Sequence, residues 1–517
     1  MLLALVPLAA PIVLLGVAAM AAAAPAMRPA ALLGRARRAT LVSLAVAALS
    51  ALLLALEGPG TSPLLGIEGL GFALRMDAPS MVMMVLVSFI GVIVLRYSCN
   101  YLDGEPGQAR FTGWLLATLA AVQMLVLAGN LVQLVLAWVA MSLTLHKLLL
   151  FYADRRAAQT AATKKFWSAR LGDVVLGLAA VLLAVRFGTG DIATIVAQAP
   201  TAGGGLLAPA LLLALAGLLK SAQFPTHGWL IEVMETPTPV SALLHAGIVN
   251  AGGFLIIRFA DVMLAAPGAL MVLAIVGGFT ALFGAAVMLT QPSVKVSLAW
   301  STVSQMGFMM LQCGLGAFSI ALLHIVAHSL YKAHAFLSSG SVVDRARAPS
   351  LPGFGQPLRV SDALIGLAVT LGSFAAIGRL FGHTAETSPA LLALGAISVM
   401  GVAMMATQAL SGETRRQMLG RTIVLTAAVA LAWFTAQGVM AAITAGALPD
   451  PRALATLDGP ALAIIVLAAL SFMAIALAQL LAPLWLTRPS MRALRVHLAN
   501  GFYANLLWDR LIGAHRV

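Results

Sequence analysis

The chain has 517 residues, of which 61% are hydrophobic and only 9% are charged, and its formal net charge is +13. Soluble globular domains are about 45–50% apolar and about 25% charged, so this composition excludes that class of protein. It predicts instead a polytopic helical membrane protein.

Apolar runs of the length that an α-helix needs to cross a bilayer recur along the whole chain. We predict an all-α membrane bundle of about fifteen spans, followed by a short amphipathic tail over residues 488–517. The first run has no basic segment before it, so we expect it to be retained rather than cleaved as a signal peptide. The runs are Leu2–Ala24, Ala39–Leu56, Ala78–Arg96, Thr112–Ala128, Leu131–Tyr152, Ser168–Arg186, Leu206–Gln223, Pro239–Phe259, Pro267–Thr290, Val294–Gln312, Ala317–Ser339, Ser361–Phe381, Pro389–Leu410, Arg421–Ala441 and Pro460–Leu481.

Lysine and arginine are distributed unevenly between the predicted loops. If the spans alternate in direction, most of the 31 basic residues lie on one side, including Lys164, Lys165 and Arg170 after the fifth span. Cytoplasmic loops are enriched in these residues. The pattern predicts an outside N-terminus and a cytoplasmic C-terminus, and it explains the net charge by topology, with no nucleic-acid partner.

One stretch combines a charge within a span with an interrupted helix. Lys220 lies deep in an apolar run that breaks at residues 223–225, and a second run opens at residues 237–239 and carries His245 about two turns later. A charged side chain at the centre of a span costs about 2.5–3.5 kcal/mol on insertion scales. Non-helical backbone at membrane depth is tolerated only within protein or beside a water-filled cavity. The combination predicts part of a proton or cation path.

The eleventh span carries three ionisable groups on one helix face. His324, His328 and Lys332 are spaced at i, i+4 and i+8. Histidine changes charge near neutral pH, so a line of such groups predicts a proton relay. A single membrane histidine is often only a hydrogen-bonding residue between helices, and that alternative stays open for His245.

Four further residues are candidates for the same path. His146 and Lys147 lie together in the fifth span, where the Lys147 amine is close enough to the end of the span to snorkel to the interface. Asp173 lies near the predicted start of the sixth span, where it could pair with a lysine or interact with the helix dipole. Arg379 lies in the twelfth span.

The sequence shows no motif for a nucleotide, metal or redox cofactor. It has no strand followed by GxGxxG, no P-loop, no carboxylate-rich metal site, and only two cysteines, far apart. We therefore expect no cofactor in this chain and no enzymatic activity of its own. It would conduct ions, and any catalysis would lie in a partner subunit.

Several segments resemble the antiporter-type membrane subunits of respiratory complex I and of Mrp cation antiporters. They are FALRMDAPSMVMM, YSCNYLDGEPGQARF, KSAQFPTHGWL, PTPVSALLHA, VKVSLAWSTVSQMGFMML and HIVAHSLYKAHAFLSSGSV. In that family two inverted helix repeats each contain a broken helix, and lysines and histidines line a central hydrophilic axis. The resemblance implies that axis here, with matching residues Lys220, His245, His324, His328 and Lys332.

The same resemblance implies a division of the chain into four parts. We expect N-terminal helices at 1–111, a first antiporter-like repeat at 112–259, a second at 260–410, and C-terminal helices with the amphipathic tail at 411–517.

Departures from the family pattern point to one divergent branch. The family has a glutamate after the tryptophan of the fifth helix, paired with the seventh-helix lysine, but Val139 follows Trp138 here. Either Asp173 substitutes for that glutamate or the first half-channel works differently. The chain also ends without the long lateral helix of the largest complex I subunit.

The fifth helix, the eighth helix and the tail VHLANGFYANLLWDR most resemble the membrane subunit, DabB, of the two-component inorganic carbon transporter. This likeness implies a bacterial inner membrane location and a large soluble zinc partner, DabA, with carbonic-anhydrase-like residues.

Two classes of function remain open. In the first, H⁺ or Na⁺ flow through this chain drives hydration of CO₂ to bicarbonate in the zinc-containing partner. In the second, the chain is a proton-pumping subunit of an NADH-quinone oxidoreductase, or a stand-alone Mrp-type cation/proton antiporter.

Overall fold

A computed structural model describes residues 2–23, 29–341, 360–384, 389–409, 415–449, 459–480 and 489–511. Its helices are α1 (Ala9–Ala23), α2 (Pro29–Glu57), α3 (Ala78–Tyr101), α4 (Gln108–Val126), α5 (Leu131–Leu149), α6 (Arg156–Phe187), α7 (Ile192–Gln198), α8 (Leu207–Lys220), α9 (Gly228–Glu232), α10 (Thr238–Ala246), α11 (Ala251–Arg258), α12 (Ala260–Leu264), α13 (Pro267–Met288), α14 (Val294–Gly314), α15 (Phe318–Leu337), α16 (Val360–Leu380), α17 (Pro389–Ala409), α18 (Arg415–Thr444), α19 (Gly459–Leu480), α20 (Pro489–Ala499) and α21 (Ala504–Leu511). Four short strands, β1 (Gly60–Thr61), β2 (Leu65–Ile67), β3 (Leu70–Phe72) and β4 (Arg75–Met76), pair antiparallel as β1 with β4 and β2 with β3.

Ten helical segments in the described residues are long and apolar enough to cross a membrane. The predicted all-α polytopic bundle is therefore confirmed. The total of fifteen spans stays a prediction, and the predicted boundary between residues 410 and 411 lies outside the described residues. The ten segments are Leu3–Ala23, Ala30–Glu57, Ala78–Tyr101, Gln108–Val126, Leu131–Leu149, Arg156–Phe187, Thr238–Arg258, Pro267–Met288, Phe318–Leu337 and Ile423–Thr444.

The seventh predicted span is interrupted as expected. Helix α8 has 14 residues, which is about 21 Å of helix and too short to cross the roughly 30 Å hydrocarbon core. It ends at Lys220, and the short helix α9 follows after a non-helical segment. Lys220 therefore stands at a helix end within the bundle.

The eighth predicted span is also interrupted, which the sequence analysis did not anticipate. It consists of α10, a 3₁₀ turn at Ile248–Asn250, and α11. Gly247 joins the first two segments with φ −123° and ψ −66°, outside helical geometry. The two interruptions lie side by side, because the Ser221 hydroxyl donates a hydrogen bond of 2.9 Å to the Val249 carbonyl.

Two glycines permit this close approach of α8 and α11. A Cβ atom added at Gly252 would lie 2.4 Å from the Gly217 carbonyl oxygen and 2.3 Å from the Ser221 hydroxyl. Any larger residue at position 252 would push the helices apart and separate the two interruptions.

The sixth span begins earlier than predicted. Helix α6 starts at Arg156, so Asp173 lies in the middle of this 32-residue helix rather than near its start. An interaction of Asp173 with the helix dipole is therefore ruled out, because that effect is confined to the first turn. Lys164 and Lys165, assigned above to a loop, are buried residues of the same helix.

A buried ion pair anchors the start of α3 to the end of α11. The Asp77 carboxylate caps α3 by accepting a hydrogen bond of 3.0 Å from the Ser80 amide, and it lies 2.5 Å from the Arg258 guanidinium and 2.7 Å from that of Arg75. Burial alone would raise the pKa of Asp77, but Arg258 and Arg75 outweigh it and hold the pKa below its ordinary 3.8. Arg258 also donates to the Val126 carbonyl of α4 at 3.2 Å.

We predict that Asp77→Ala lowers stability by about 3–5 kcal/mol, because it leaves the buried Arg258 guanidinium and the partly buried Arg75 without their counter-ion. The Asp77 contribution is complete above a pH of about 4 and is lost only as pH falls through the lowered pKa, so the deficit should be constant between pH 6 and 8. Thermal unfolding of the protein in detergent measures it. The exposed Asp103→Ala is the control. Equal melting temperatures for the two variants would contradict the anchoring role.

Candidate functional site

The first group of buried ionisable residues surrounds the end of α8. The Lys220 ammonium lies 4.2 Å from the centroid of the Trp138 ring of α5, a cation–π contact. Asp173 of α6 attracts Lys220 electrostatically, but its closest ion pair is with Arg170, at 2.6 Å. Asp173 therefore supplies negative charge near Lys220 without replacing the direct glutamate–lysine pair of the family.

Lys165 belongs to this group, although the sequence analysis missed it. Its ammonium donates to the Ser142 carbonyl at 2.6 Å and to the Ser142 hydroxyl at 3.1 Å, and the residue is 5% exposed. Lys165 and Lys220 line one cavity of about 20 Å³, which is room for about one water molecule. A signal existed, because Lys165 and Asp173 are eight residues apart and so share a helix face.

The two fifth-helix candidates differ in exposure. His146 is partly buried, with its ring 5.3 Å from that of Phe166. Lys147 is exposed in the last turn of α5. Its exposure is that of a snorkelling side chain.

The second group is centred on α15, where the predicted face is present. The rings of His324 and His328 are 6.0 Å apart. His328 bonds through Nδ1 to the Gln305 amide oxygen at 2.6 Å and through Nε2 to the His245 carbonyl at 3.2 Å. His324 bonds through Nδ1 to the Gln312 amide oxygen at 3.0 Å. Both histidines are thus held by polar side chains of α14.

His245 and Lys332 complete this group, and both are fully buried. The His245 ring stacks on Phe336 at 4.4 Å, and its Nδ1 lies 2.9 Å from the Thr302 hydroxyl. The Lys332 ammonium donates to the Leu298 carbonyl at 3.0 Å. The sequence analysis did not name the α14 partners, although the positions of Leu298, Thr302, Gln305 and Gln312 follow helical spacing on one face.

Helix α14 is long enough to span a membrane but is not among the ten segments above. Its polar side chains lower its mean hydropathy. The contacts just described account for them, since they hold the histidines of α10 and α15.

His227 was also missed, although it stands in the segment that carries the resemblance. It is 1% exposed, and its ring is 5.8 Å from Phe224, 5.4 Å from Phe283 and 5.1 Å from Trp300. It fills the interruption of the seventh helix from the side of α13 and α14.

Polar contacts join the two groups through the interrupted eighth helix. Ser221, next to Lys220, bonds to the Val249 carbonyl, and the neighbouring Asn250 donates to the Ser329 hydroxyl of α15 at 2.9 Å. Ser329 adjoins His328. We call the two groups and this connection the polar row.

Arg379 stands apart from the polar row. It is exposed in the last turn of α16, and none of the contacts that the structure describes joins it to the row. Its predicted place in the path has no contact to support it.

Within the described part of the chain, no group of three or more histidine, cysteine, aspartate or glutamate residues is arranged to hold a metal ion. The polar row contains groups that can take up and release protons, set among otherwise apolar helices. Groups of this kind can take part in moving ions through a membrane bundle.

Comparison with known proteins places the chain among antiporter-like subunits. Residues 128–352 match the family described as "NADH:quinone oxidoreductase/Mrp antiporter, TM", and residues 68–112 match "NADH-Ubiquinone oxidoreductase (complex I), chain 5 N-terminus". The solved Mrp complex from Dietzia sp. has the same fold over 98% of this chain and 59% of its own, with a TM-score of 0.64 and 24% identity.

Curated relatives carry two kinds of name. The "Probable inorganic carbon transporter subunit DabB2" of Halothiobacillus neapolitanus is 38% identical over 88% of this chain and 82% of its own length. The corresponding DabB of Hydrogenovibrio crunogenus is 47% identical over 53% of this chain and 55% of its own. "NADH-quinone oxidoreductase subunit L" of Mycobacterium tuberculosis is 40% identical over 53% of this chain and 44% of its own. The chain thus spans about half the length of the latter two relatives.

With that extent of similarity to the Halothiobacillus protein, the chain belongs to the antiporter-like family of NADH:quinone oxidoreductase and Mrp membrane subunits, in its divergent DabB-type branch.

Proposed function

We propose that this chain is the H⁺- or Na⁺-conducting membrane subunit of an inorganic carbon transport complex. The observation that carries the proposal is the polar row, which joins Lys220 to the α15 histidines through two adjacent helix interruptions. Buried ionisable groups are costly in a membrane bundle, so their alignment across several helices favours a transport role.

The similarity to one inorganic carbon transporter subunit, that of Halothiobacillus neapolitanus, extends over 88% of the chain, whereas the similarity to NADH-quinone oxidoreductase subunit L covers 53% of it. Val139, in place of the family's glutamate, separates the first group from the respiratory pattern. We assign ion conduction to the polar row. Its first group contains one acidic residue, Asp173, and its second group consists of histidines and a lysine.

The chemistry would lie in a soluble, DabA-type zinc partner at the cytoplasmic face of a bacterial inner membrane. A zinc site needs three or four correctly spaced ligands, and zinc lowers the pKa of a bound water enough to supply hydroxide near neutral pH. Ion flow through the polar row would make CO₂ hydration in that partner effectively one-way. The alternative, a proton-pumping respiratory subunit, is favoured by the 40% identity to subunit L over 53% of the chain and by the names of the two matching families.

Lys220→Ala is expected to lower gradient-driven carbon uptake about a hundredfold, the scale of losing one proton-transfer group. Insertion and assembly should be unchanged, since removing a buried charge eases insertion. Uptake of labelled bicarbonate by cells with equal amounts of complex measures the effect. Lys147→Ala, at an exposed lysine, is the matched control, and wild-type uptake in the Lys220 variant would refute its assignment.

His328→Ala should lower ion flux far more than Val326→Ala or His334→Ala. His328 bonds to Gln305 and to the His245 carbonyl between the two helices, whereas His334 on the same helix is exposed. Ion flux through the purified complex in liposomes is the measurement. Equal, mild losses in the three variants would leave His328 with a structural role only.

Dissipation of the gradient tests where the energy comes from. Carbon accumulation should collapse when an uncoupler removes the proton-motive force or, for a sodium device, when sodium is withdrawn. The purified chain alone should bind no stoichiometric zinc by metal analysis and show no hydratase activity. Accumulation that survives the loss of both gradients would overturn the coupling role, and co-purification with quinone-reducing subunits would support the respiratory alternative.

A further inference from the structure

The C-terminal tail helix α21 is docked on the face of the bundle that leads to Lys220. The Lys164 ammonium lies 2.6 Å from the Asp509 carboxylate of α21 and 2.6 Å from the Glu232 carboxylate at the end of α9. The Asn505 amide of α21 donates to the same Glu232 carboxylate at 2.6 Å. Two carboxylates from distant parts of the chain thus converge on one lysine that is 8% exposed.

Glycine at position 228 is needed for this docking. A Cβ atom there would lie 1.6 Å from the Asn505 side-chain oxygen. The first residue of α9, directly after the seventh-helix interruption, is therefore in contact with the tail helix. The tail and the broken helix form one unit at this face.

A cavity of about 100 Å³ lies under α21, lined among others by Lys164, Asn505, Trp508 and Asp509. That volume has room for a few water molecules. Ser168, Leu219 and Trp229 form a shared wall between it and the smaller cavity that holds Lys165 and Lys220.

Two unpaired polar atoms lie on residues that line these cavities. The Trp229 indole nitrogen, on a side chain only 7% exposed, and one oxygen of Asp509 are buried and have no hydrogen-bond partner in the described structure. Buried polar groups left unpaired carry a cost of about 1–3 kcal/mol, which water in the two cavities would relieve.

We propose that Glu232 and the Asp509 of α21, both bound to Lys164, form the entrance through which the transported cation reaches Lys220. This inference rests on the proposed ion-conducting function and names a further part of its path. Lys164 and Asp509 line the outer cavity, and Glu232 shares the same Lys164 ammonium. Two carboxylates and one ammonium give this cluster a net negative charge, which attracts a cation from solution. The next ionisable groups inward, Lys165 and Lys220, are basic. The two carboxylates are therefore the groups that would attract the cation as it leaves bulk water.

A purely mechanical role is the competing explanation, in which the cluster only fastens the tail. The two roles differ in which substitutions they tolerate. A fastener needs the hydrogen-bonding shape of Asp509 and Glu232, which the amides retain in part, whereas an ion entrance needs their negative charge.

The test measures ion flux through the purified complex in liposomes, with the gradient imposed from the tail side. Glu232→Gln and Asp509→Asn should each lower the flux about tenfold or more at low ion concentration, and raising the concentration on the tail side should recover much of the loss. Asp509→Glu, which keeps the charge, should remain close to wild type. Arg510→Gln, at an exposed residue of the same helix, is the control.

Wild-type flux and concentration dependence in Glu232→Gln and Asp509→Asn would overturn the inference. Equal losses in Asp509→Asn and Asp509→Glu that ion concentration does not relieve would also overturn it, in favour of the fastening role. Failure of the proposed function gives a different result. If the wild-type complex conducts ions without accumulating bicarbonate, carbon coupling is rejected, and the comparison of ion flux among the variants still decides whether the entrance exists. Wild-type complex that conducts no ion would reject both.

Discussion

The structure depends on satisfying two interrupted helices within an apolar bundle. A helix break exposes backbone carbonyls and amides, and a bilayer offers no water to bond them. Here the two breaks are placed against each other, so that the Ser221 hydroxyl meets the Val249 carbonyl across the closest approach of α8 and α11. Gly217 and Gly252 make that approach possible. Lys220 is the last residue of α8, so this arrangement holds it at a helix end that lines the cavity.

The same constraint explains the partners of the second group. His324 and His328 of α15 each have an amide side chain of α14 against them, and Lys332 bonds to a carbonyl. These partners are uncharged, so in these contacts no carboxylate stabilises the charged form of either ring. An acidic partner would stabilise the protonated ring and slow the release of its proton. A row held by amides, hydroxyls and carbonyls is suited to passing charge on.

Much of this was predictable from the sequence, and the omissions have physical causes. The face formed by His324, His328 and Lys332 follows from helical periodicity, and the seventh-helix break from its proline and polar residues. The break in the eighth helix was missed because Gly247 can also sit inside a helix, and only packing against Ser221 reveals it. Lys165 was missed because basic residues beside a span usually mark a loop. Helix α6 begins at Arg156, about three turns before the start of its apolar run at Ser168. The two lysines therefore lie on a helix, where they are buried.

Charge repulsion limits how many groups of the polar row can be charged at the same time. The rings of His324 and His328 are 6.0 Å apart, so charging both at once would cost about 3 kcal/mol at an effective dielectric constant near 20. Lys332 adds a further positive charge one turn beyond His328. The second group can therefore hold only part of its possible charge at any time, and each arriving proton favours the departure of another. In the first group Asp173 offsets one charge among Arg170, Lys165 and Lys220, so the same repulsion operates there. The connection through Asn250 and Ser329 joins these two groups in one row of polar contacts.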